Sequence, residues 1–249
     1  MRRIKLLLFF ALPLITALNA QSQEVNFGFK QHQLSGFKRF ENREYTLKEA
    51  HDIANAKDFN LKSKTLKYLP ILFIAYGFTA IESNPLKQVN YEFREEILEN
   101  NPSFRTHIDN YLQYSPLIAT FAFKLSGNSG RSNFINSVRT LGMSAILMGG
   151  TVYGIKKITG ELRPDGSDSN SFPSGHTATA FVSAELLHQE FKETAPLLSY
   201  TGYLAASATG VLRMYNNKHY FSDVLAGAGI GILSTKAAYW LNGKMFHHK

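Results

Sequence analysis

Apolar residues in this chain are grouped into six long stretches, and none shows the alternation of polar and apolar positions that is typical of a β-strand. The stretches run over residues 66–81, 110–125, 137–155, 174–190, 195–213 and 221–241. Glycine, alanine, serine and threonine are frequent in the later ones. The pattern predicts an all-α fold, a bundle of about six core helices.

The segment between the first two stretches, residues 82–109, is rich in charge. Asn84-Pro85 and Asn101-Pro102 interrupt it, and we predict one helix between them, around residues 91–99. Such a segment could cover a site as a lid, but a solvated helical connection is the commoner structure. We therefore interpret the segment as a connection.

The first twenty residues have the pattern of a secretory signal peptide. Basic residues precede a 13-residue apolar run over 6–18, and Ala20 stands before a polar stretch. A run of this length is typical of a signal sequence and short for a membrane span, although an uncleaved anchor is the alternative. We expect a signal peptide over 1–20 that directs export to the cell envelope, a polar segment over 21–65 and a helical domain over 66–249.

Most of the apolar stretches are shorter than the ~20 residues that cross a bilayer. The stretch after Lys67 holds fourteen uncharged residues and the one before Lys156 holds sixteen, while residues 194–212 reach nineteen. We expect a periplasmic body that rests peripherally on the membrane. An integral bundle of shortened helices is the alternative, and in both cases the site faces outward.

The composition narrows the chemistry. The chain has no cysteine, which excludes disulfides, thiolate metal ligands and cysteine nucleophiles. Its net charge of +8 is scattered rather than gathered into a stripe, so we expect no nucleic-acid partner. The positive charge favours anionic partners, either phosphoesters or an anionic lipid surface. The oligomeric state stays open.

Three short motifs carry the candidate chemistry. They are Lys156-x6-Arg163-Pro164, then Pro173-Ser174-Gly175-His176, then Arg213-x5-His219-x3-Asp223. The motifs lie where predicted helices end or begin, and an antiparallel bundle with short connections places these ends on the same side. The sequence therefore predicts that the three motifs meet at one end of the bundle.

The basic residues and the helix start in these motifs suit a phosphoryl group. Lys156, Arg163 and Arg213 supply three positive charges, and guanidinium groups match phosphate oxygens in a bidentate way. Ser174 and Gly175 open a helix, where free backbone amides bind anions, the hydroxyl can add a hydrogen bond and glycine admits a close approach.

Two histidines complete the predicted site. His219 and Asp223 are four residues apart on one helical face, so the carboxylate can hold one imidazole nitrogen and leave the other free to attack. His176 is then available as general acid for the leaving group. Taken singly, each residue has a structural explanation, such as a helix cap or a surface ion pair. The prediction depends on their joint order and spacing.

Together the motifs resemble the three-part signature of the type 2 phosphatidic acid phosphatase and vanadium haloperoxidase superfamily, from the third apolar stretch onward. The resemblance implies an all-helical core with a phosphate site made of Lys156, Arg163, Ser174, Gly175 and Arg213. It implies His219 as nucleophile, His176 as acid and Asp223 as the partner that orients His219. Leu212 departs from the pattern, because the family usually has serine before the arginine of the third motif.

The implied function is hydrolysis of phosphomonoesters or diphosphates through a phosphohistidine at His219, without a metal or other cofactor. A lipid is the expected substrate and the membrane surface the expected partner. Two alternatives stay open. One is a vanadium-dependent haloperoxidase that uses the same residues. The other is a non-catalytic lipid-binding envelope protein, and Leu212 is the one residue in the sequence that favours it. Residues 21–135 match no motif, and the sequence does not determine which phosphoester is hydrolysed.

Overall fold

The structure is a computed structural model that describes residues 67–246. The predicted signal peptide over 1–20 and the polar segment over 21–65 lie outside these residues. The chain divides after Lys67, and the unit Tyr68–Lys249 holds all three motifs. The described residues are helical and contain no strand, which confirms the predicted all-α fold.

Eight helices follow one another in residues 67–246. They are α1 (Leu69–Glu82), α2 (Asn84–Asn100), α3 (Ile108–Leu112), α4 (Ser115–Leu125), α5 (Phe134–Thr159), α6 (Gly175–Phe191), α7 (Pro196–Tyr215) and α8 (Phe221–Phe246). Six of them correspond to the six apolar stretches. The other two, α2 and α3, occupy the charged segment and the residues just after it.

The helix predicted around residues 91–99 is longer than expected. It begins at Asn84, because Pro85 stands in the first turn, where proline is tolerated since no intrahelical amide donor is needed. Asn84-Pro85 therefore forms the start of the helix and is not a break before it. As a result, almost the whole of the charged segment before residue 101 is helical.

The bundle is centred on α6. This helix packs against α4, α5, α7 and α8, and it buries side chains all round, including two carboxylates. One of them, Glu190, accepts hydrogen bonds from Lys124 Nζ at 2.9 Å and from the Tyr239 hydroxyl at 2.6 Å. Because these partners satisfy the buried charge, α6 can lie in the interior along its full length.

Glycines allow α8 to lie directly against its neighbours. A Cβ on Gly227 would lie 2.5 Å from the Ser174 carbonyl oxygen, and one on Gly231 would overlap the Ala178 carbonyl oxygen of α6. On another face, a Cβ on Gly229 would overlap a carbonyl oxygen of α1. These close backbone approaches fix α8 between α6 and α1, and they align the starts of α6 and α8, where two of the motifs lie.

Apolar surface is distributed unevenly over the helices. Within residues 67–246, one helix, α8 over Phe221–Met245, is long and apolar enough to cross a membrane, and 67% of that apolar stretch is buried. In contrast, α5 presents large apolar side chains to the surroundings along its whole length. These are Phe134, Ile135, Val138, Ile146, Tyr153 and Ile158.

Replacing Gly231 with alanine is expected to destabilise the bundle, because the new Cβ would meet backbone of α6 rather than a flexible side chain. Overpacking costs about 1–3 kcal/mol, against a gain of about 1 kcal/mol from the helix propensity of alanine. Gly243→Ala in the same helix is the matched control, since nothing lies within 4 Å of its added Cβ. In thermal unfolding, G231A should melt below wild type and G243A at or above it. Equal melting temperatures would contradict the close packing.

Candidate active site

The three motifs lie at the ends of four helices and meet at one end of the bundle. Lys156 lies in the last turn of α5, Ser174 caps the start of α6, Arg213 lies in the last turn of α7 and His219 precedes α8. The backbone carbonyl of Asp223, in the first turn of α8, accepts a hydrogen bond from the Ser174 amide at 3.0 Å. The second and third motifs are therefore in direct contact.

The Asp223 carboxylate faces the His219 ring. Its Oδ2 accepts hydrogen bonds from the Ser171 hydroxyl at 2.5 Å and the Tyr220 amide at 2.9 Å. The same oxygen lies 3.4 Å from His219 Nδ1, which is long for a hydrogen bond, and Nδ1 has no partner of normal geometry in the described residues. Because Nδ1 faces the carboxylate, the opposite nitrogen, Nε2, is the one left for chemistry.

His219 is buried and uncharged at neutral pH. It is 3% exposed, and burial lowers its pKa to about 4. The Asp223 carboxylate opposes this shift, while the charges of Arg213 and Lys156 reinforce it. Both cations therefore lie within electrostatic range of the ring. A neutral imidazole keeps a lone pair that can attack an electrophile.

The loop between α5 and α6 binds two of the three cations of the site, Lys156 and Arg163. Lys156 Nζ donates to the carbonyl oxygens of Asn170 and Ser171, the latter at 3.3 Å. Burial, and then the charge of Arg163, lowers the pKa of Lys156 to about 8, so the amine is mostly protonated at neutral pH. Arg163 Nε donates to Asp168 Oδ1 at 2.9 Å within the same loop. The loop thus holds both positive charges beside the histidines.

Arg213 is held by a carboxylate that the sequence analysis did not identify. Its Nη1 donates to Asp109 Oδ2 at 2.7 Å, and both side chains are buried. Its Nε is also buried and has no hydrogen-bond partner in the described residues. The guanidinium is therefore fixed at one end and keeps a buried donor that could bind an anion.

The start of α6 provides amides and open space. The Ser174 hydroxyl oxygen accepts hydrogen bonds from the amide and the hydroxyl of Thr177, at 3.4 Å and 2.9 Å, so it serves as the helix cap and is fully buried. For a Cβ placed on Gly175, the nearest atom would be Val152 Cγ1 at 3.9 Å. Helix-start amides such as that of Gly175 lack an intrahelical acceptor. An anion could approach the backbone at Gly175, while Ser174 is engaged in capping.

His176, the second histidine, is half-buried one residue further along α6. Its Nε2 lies 2.8 Å from Asn110 Oδ1. Burial and then the charge of Arg213 lower its pKa to about 4, and the Asp109 carboxylate opposes these effects. The ring is therefore neutral at neutral pH when no anion is bound. A phosphate dianion beside it would offset the cations and raise this pKa.

The charged segment before α4 forms one wall of the site, so its interpretation as a solvated connection was wrong. Asn90 exchanges two hydrogen bonds with Ser222, at 2.9 Å and 3.0 Å. Arg94 donates to Asn217 Oδ1 and to the Pro164 carbonyl oxygen, and so ties together the loops that carry the first and third motifs. The contacts of Asp109 and Asn110 belong to the same wall.

The site combines cations with carboxylates, since Asp168 binds Arg163, Asp109 binds Arg213 and Asp223 lies within electrostatic range of Lys156. Three cations and the amides at the start of α6 surround a neutral imidazole. Within residues 67–246, no group of three or more His, Asp or Glu side chains could hold a metal ion. Chemically, the arrangement can bind a phosphoryl group and present an imidazole nitrogen to it.

Comparison with known proteins places this site in a family. The sequence profile of the PAP2 superfamily matches residues 137–246, from α5 to α8. The lipid A 1-phosphatase of Porphyromonas gingivalis is 44% identical over 161 residues, which are 64% of this chain and 36% of that protein. The bacitracin transport permease protein BcrC of Bacillus licheniformis is 36% identical over 76 residues, which are 30% of this chain and 36% of that protein.

The chain thus spans 36% of the length of each of these curated relatives. Among solved structures, the crystal structure of Aquifex aeolicus LpxE is similar with a TM-score of 0.46 and 24% identity, over 61% of this chain and 95% of that one. The resemblance read from the three motifs is confirmed by the profile: residues 137–246 match the PAP2 superfamily.

Proposed function

We propose that this protein is a phosphatase that removes phosphate from a lipid, with a lipid A 1-phosphate as the first candidate substrate. The observation that carries the proposal is a neutral, buried His219 within electrostatic range of Arg213 and Lys156, with Arg163 close to Lys156 and His176. The 44% identity to the lipid A 1-phosphatase of P. gingivalis supports a lipid phosphate as substrate.

In the first step, His219 Nε2 attacks phosphorus, and the bond between phosphorus and the leaving-group oxygen breaks. Asp223 faces the protonated Nδ1 and stabilises the positive charge that the ring gains. Lys156, Arg163 and Arg213 stabilise the equatorial oxygens of the transition state. The product of this step is a phosphohistidine.

In the second step, water hydrolyses the phosphohistidine. His176 has given its proton to the departing oxygen, so it can now take a proton from the attacking water. The bond between phosphorus and His219 breaks, inorganic phosphate is released and the ring returns to its neutral form. Because the cations and amides supply the electrostatic stabilisation, the mechanism uses no metal ion or other cofactor.

Exposed apolar side chains support a lipid as the substrate. Beside the site, α3 exposes Ile108 at 61% and Tyr111 at 77%, and α5 exposes apolar side chains along its length. Exposed apolar side chains in such number mark contact with a membrane or another apolar partner. We propose that the protein is held at a membrane of the cell envelope with its site facing outward.

His219→Ala is expected to lose turnover by on the order of 10³-fold or more, because the nucleophile is removed. Release of phosphate should be measured with detergent-dispersed lipid A, a lipid diphosphate and a water-soluble phosphomonoester, all in the presence of EDTA. His188→Ala is the matched control, since this half-buried histidine of α6 faces Ser199 rather than the motifs. Full activity of His219→Ala, or a wild type that is inactive until a metal is added, would refute the mechanism.

If His176 is the acid, the alkaline limb of kcat should lie at higher pH than that of kcat/KM. The positive charge of Arg213 helps to lower the pKa of His176 in the free protein, and a bound phosphate dianion offsets that charge. The acid then stays protonated to higher pH in the complex, which kcat reports, than in the free enzyme, which kcat/KM reports. A soluble ester is suitable, after correction for its own ionisation. Coincident limbs would argue against His176 as the acid.

The protein is expected to sediment with membranes, and intact cells should hydrolyse an impermeant phosphoester. The physical reason is the exposed apolar surface beside an outward-facing site. Carbonate extraction of the pellet then separates a peripheral from an integral protein. Recovery in the soluble fraction, or hydrolysis only after lysis, would contradict the proposed location.

A further inference from the structure

Two neighbouring residues that the mechanism does not use touch two groups that it does use. Asp109 Oδ2 accepts a hydrogen bond from Arg213 Nη1 at 2.7 Å, and Asn110 Oδ1 lies 2.8 Å from His176 Nε2. Building on the proposed function, we propose that Asp109 and Asn110 are positioning residues: Asp109 orients the phosphate-binding arginine and Asn110 orients the general acid.

Asp109 is fixed in the interior. Its side chain is 1% exposed and that of Arg213 is 9% exposed, so neither charge is screened by bulk water. Asn216 Nδ2 donates to the second carboxylate oxygen at 3.3 Å. Because both oxygens have donors, the direction of the carboxylate is set, and with it the direction of the guanidinium.

The end of α7 also binds the chain just before Asp109 and Asn110. Asn216 Nδ2 donates to the Thr106 carbonyl oxygen and its Oδ1 accepts from the Thr106 amide, both at 2.9 Å. Asn216 is the C-cap of α7, three positions after Arg213. The same helix end therefore supplies the arginine and binds the chain that orients it.

The contact with Asp109 uses one end of the guanidinium and leaves the opposite edge, Nε and Nη2, for a ligand. Arg213 Nε is buried without a partner in the described residues, while Nη1 is occupied. Nε and Nη2 form the edge that binds two oxygens of a phosphate side by side. Holding Nη1 stops the group from rotating, so that this edge stays available at low entropic cost.

Asn110 acts on His176 without adding charge. With the amide oxygen facing the ring, Nε2 carries the proton and donates it to Oδ1. The contact fixes the ring plane, while the nearby Asp109 carboxylate raises the pKa of His176 against the effects of burial and Arg213. Orientation and protonation of the acid can therefore be tested with separate substitutions.

A purely electrostatic role for Asp109 predicts the opposite result for anion binding. If the carboxylate only neutralised Arg213, its removal should strengthen binding of vanadate, which mimics the transition state of phosphoryl transfer. If it positions the guanidinium, its removal should weaken vanadate binding, because the free arginine side chain samples many orientations.

For Asp109→Asn, we expect kcat/KM for a soluble phosphomonoester to fall on the order of ten- to a hundredfold, and vanadate inhibition to weaken by a similar factor. Glu190→Gln is the matched control. It removes another buried carboxylate that is paired with a lysine, and it lies ~21 Å along α6 from His176. This control should lower the melting temperature and leave kcat/KM unchanged. Stronger vanadate inhibition or unchanged kinetics in Asp109→Asn would overturn the role of Asp109.

For Asn110, two substitutions separate positioning from a structural role. Asn110→Asp keeps the acceptor and adds charge, so turnover should persist and the alkaline limb of kcat should move to higher pH, because a carboxylate raises the pKa of His176. Asn110→Ala removes the acceptor, and kcat should fall about tenfold with little change in KM. Unchanged kcat in Asn110→Ala, or an unmoved limb in Asn110→Asp, would overturn the role of Asn110.

Vanadate binding can also be followed by the shift that it causes in the melting temperature, which needs no turnover. A smaller shift in Asp109→Asn than in wild type supports positioning, and an equal or larger shift refutes it. If wild type hydrolyses none of the substrates, the proposed function fails, whereas the comparison of vanadate shifts still decides the role of Asp109.

Discussion

Asp223 joins the two loops on which the site is built. Its backbone carbonyl accepts the Ser174 amide at the start of α6, and its carboxylate accepts the Ser171 hydroxyl and the Tyr220 amide while it faces His219. One residue thus connects the helix start that offers amides to the ring that would attack phosphorus. A shift of Asp223 would separate these two parts, so the geometry of the whole site depends on it.

This junction is stable because α6 and α8 touch through their backbones. Gly227 faces the Ser174 carbonyl oxygen one turn after Asp223 binds the Ser174 amide, so close packing begins where the site is assembled. The helices themselves could be predicted, since their apolar stretches are long and end at polar motifs. For α6 the predicted 174–190 became Gly175–Phe191, whereas α4 starts well after the predicted residue 110, because Pro116 opens it after the short α3.

The wall formed by α2 and α3 could not be predicted from local pattern. Arg94 and Asp109 have partners 123 and 104 positions away, and a charged segment has the composition of a solvated one whether or not its charges are paired. The charge balance of the motifs does carry a signal for this wall. Asp168 pairs with Arg163 in the same loop, but Lys156 and Arg213 then share only Asp223 among the motif residues. A further carboxylate near the buried Arg213 was therefore to be expected from outside the motifs.

In the proposed mechanism, the charges around His176 also link substrate binding to protonation. Without an anion, burial and Arg213 keep the pKa of His176 near 4, so His176 and His219 are both neutral at neutral pH. A phosphate dianion changes this balance, because it raises the pKa of the acid at the moment when the leaving group needs a proton. Asp109 supplies part of the same negative charge permanently, and it does so from a position that holds Arg213 still. If the proposal holds, Arg213 would both bind the substrate and keep His176 unprotonated until the substrate is present.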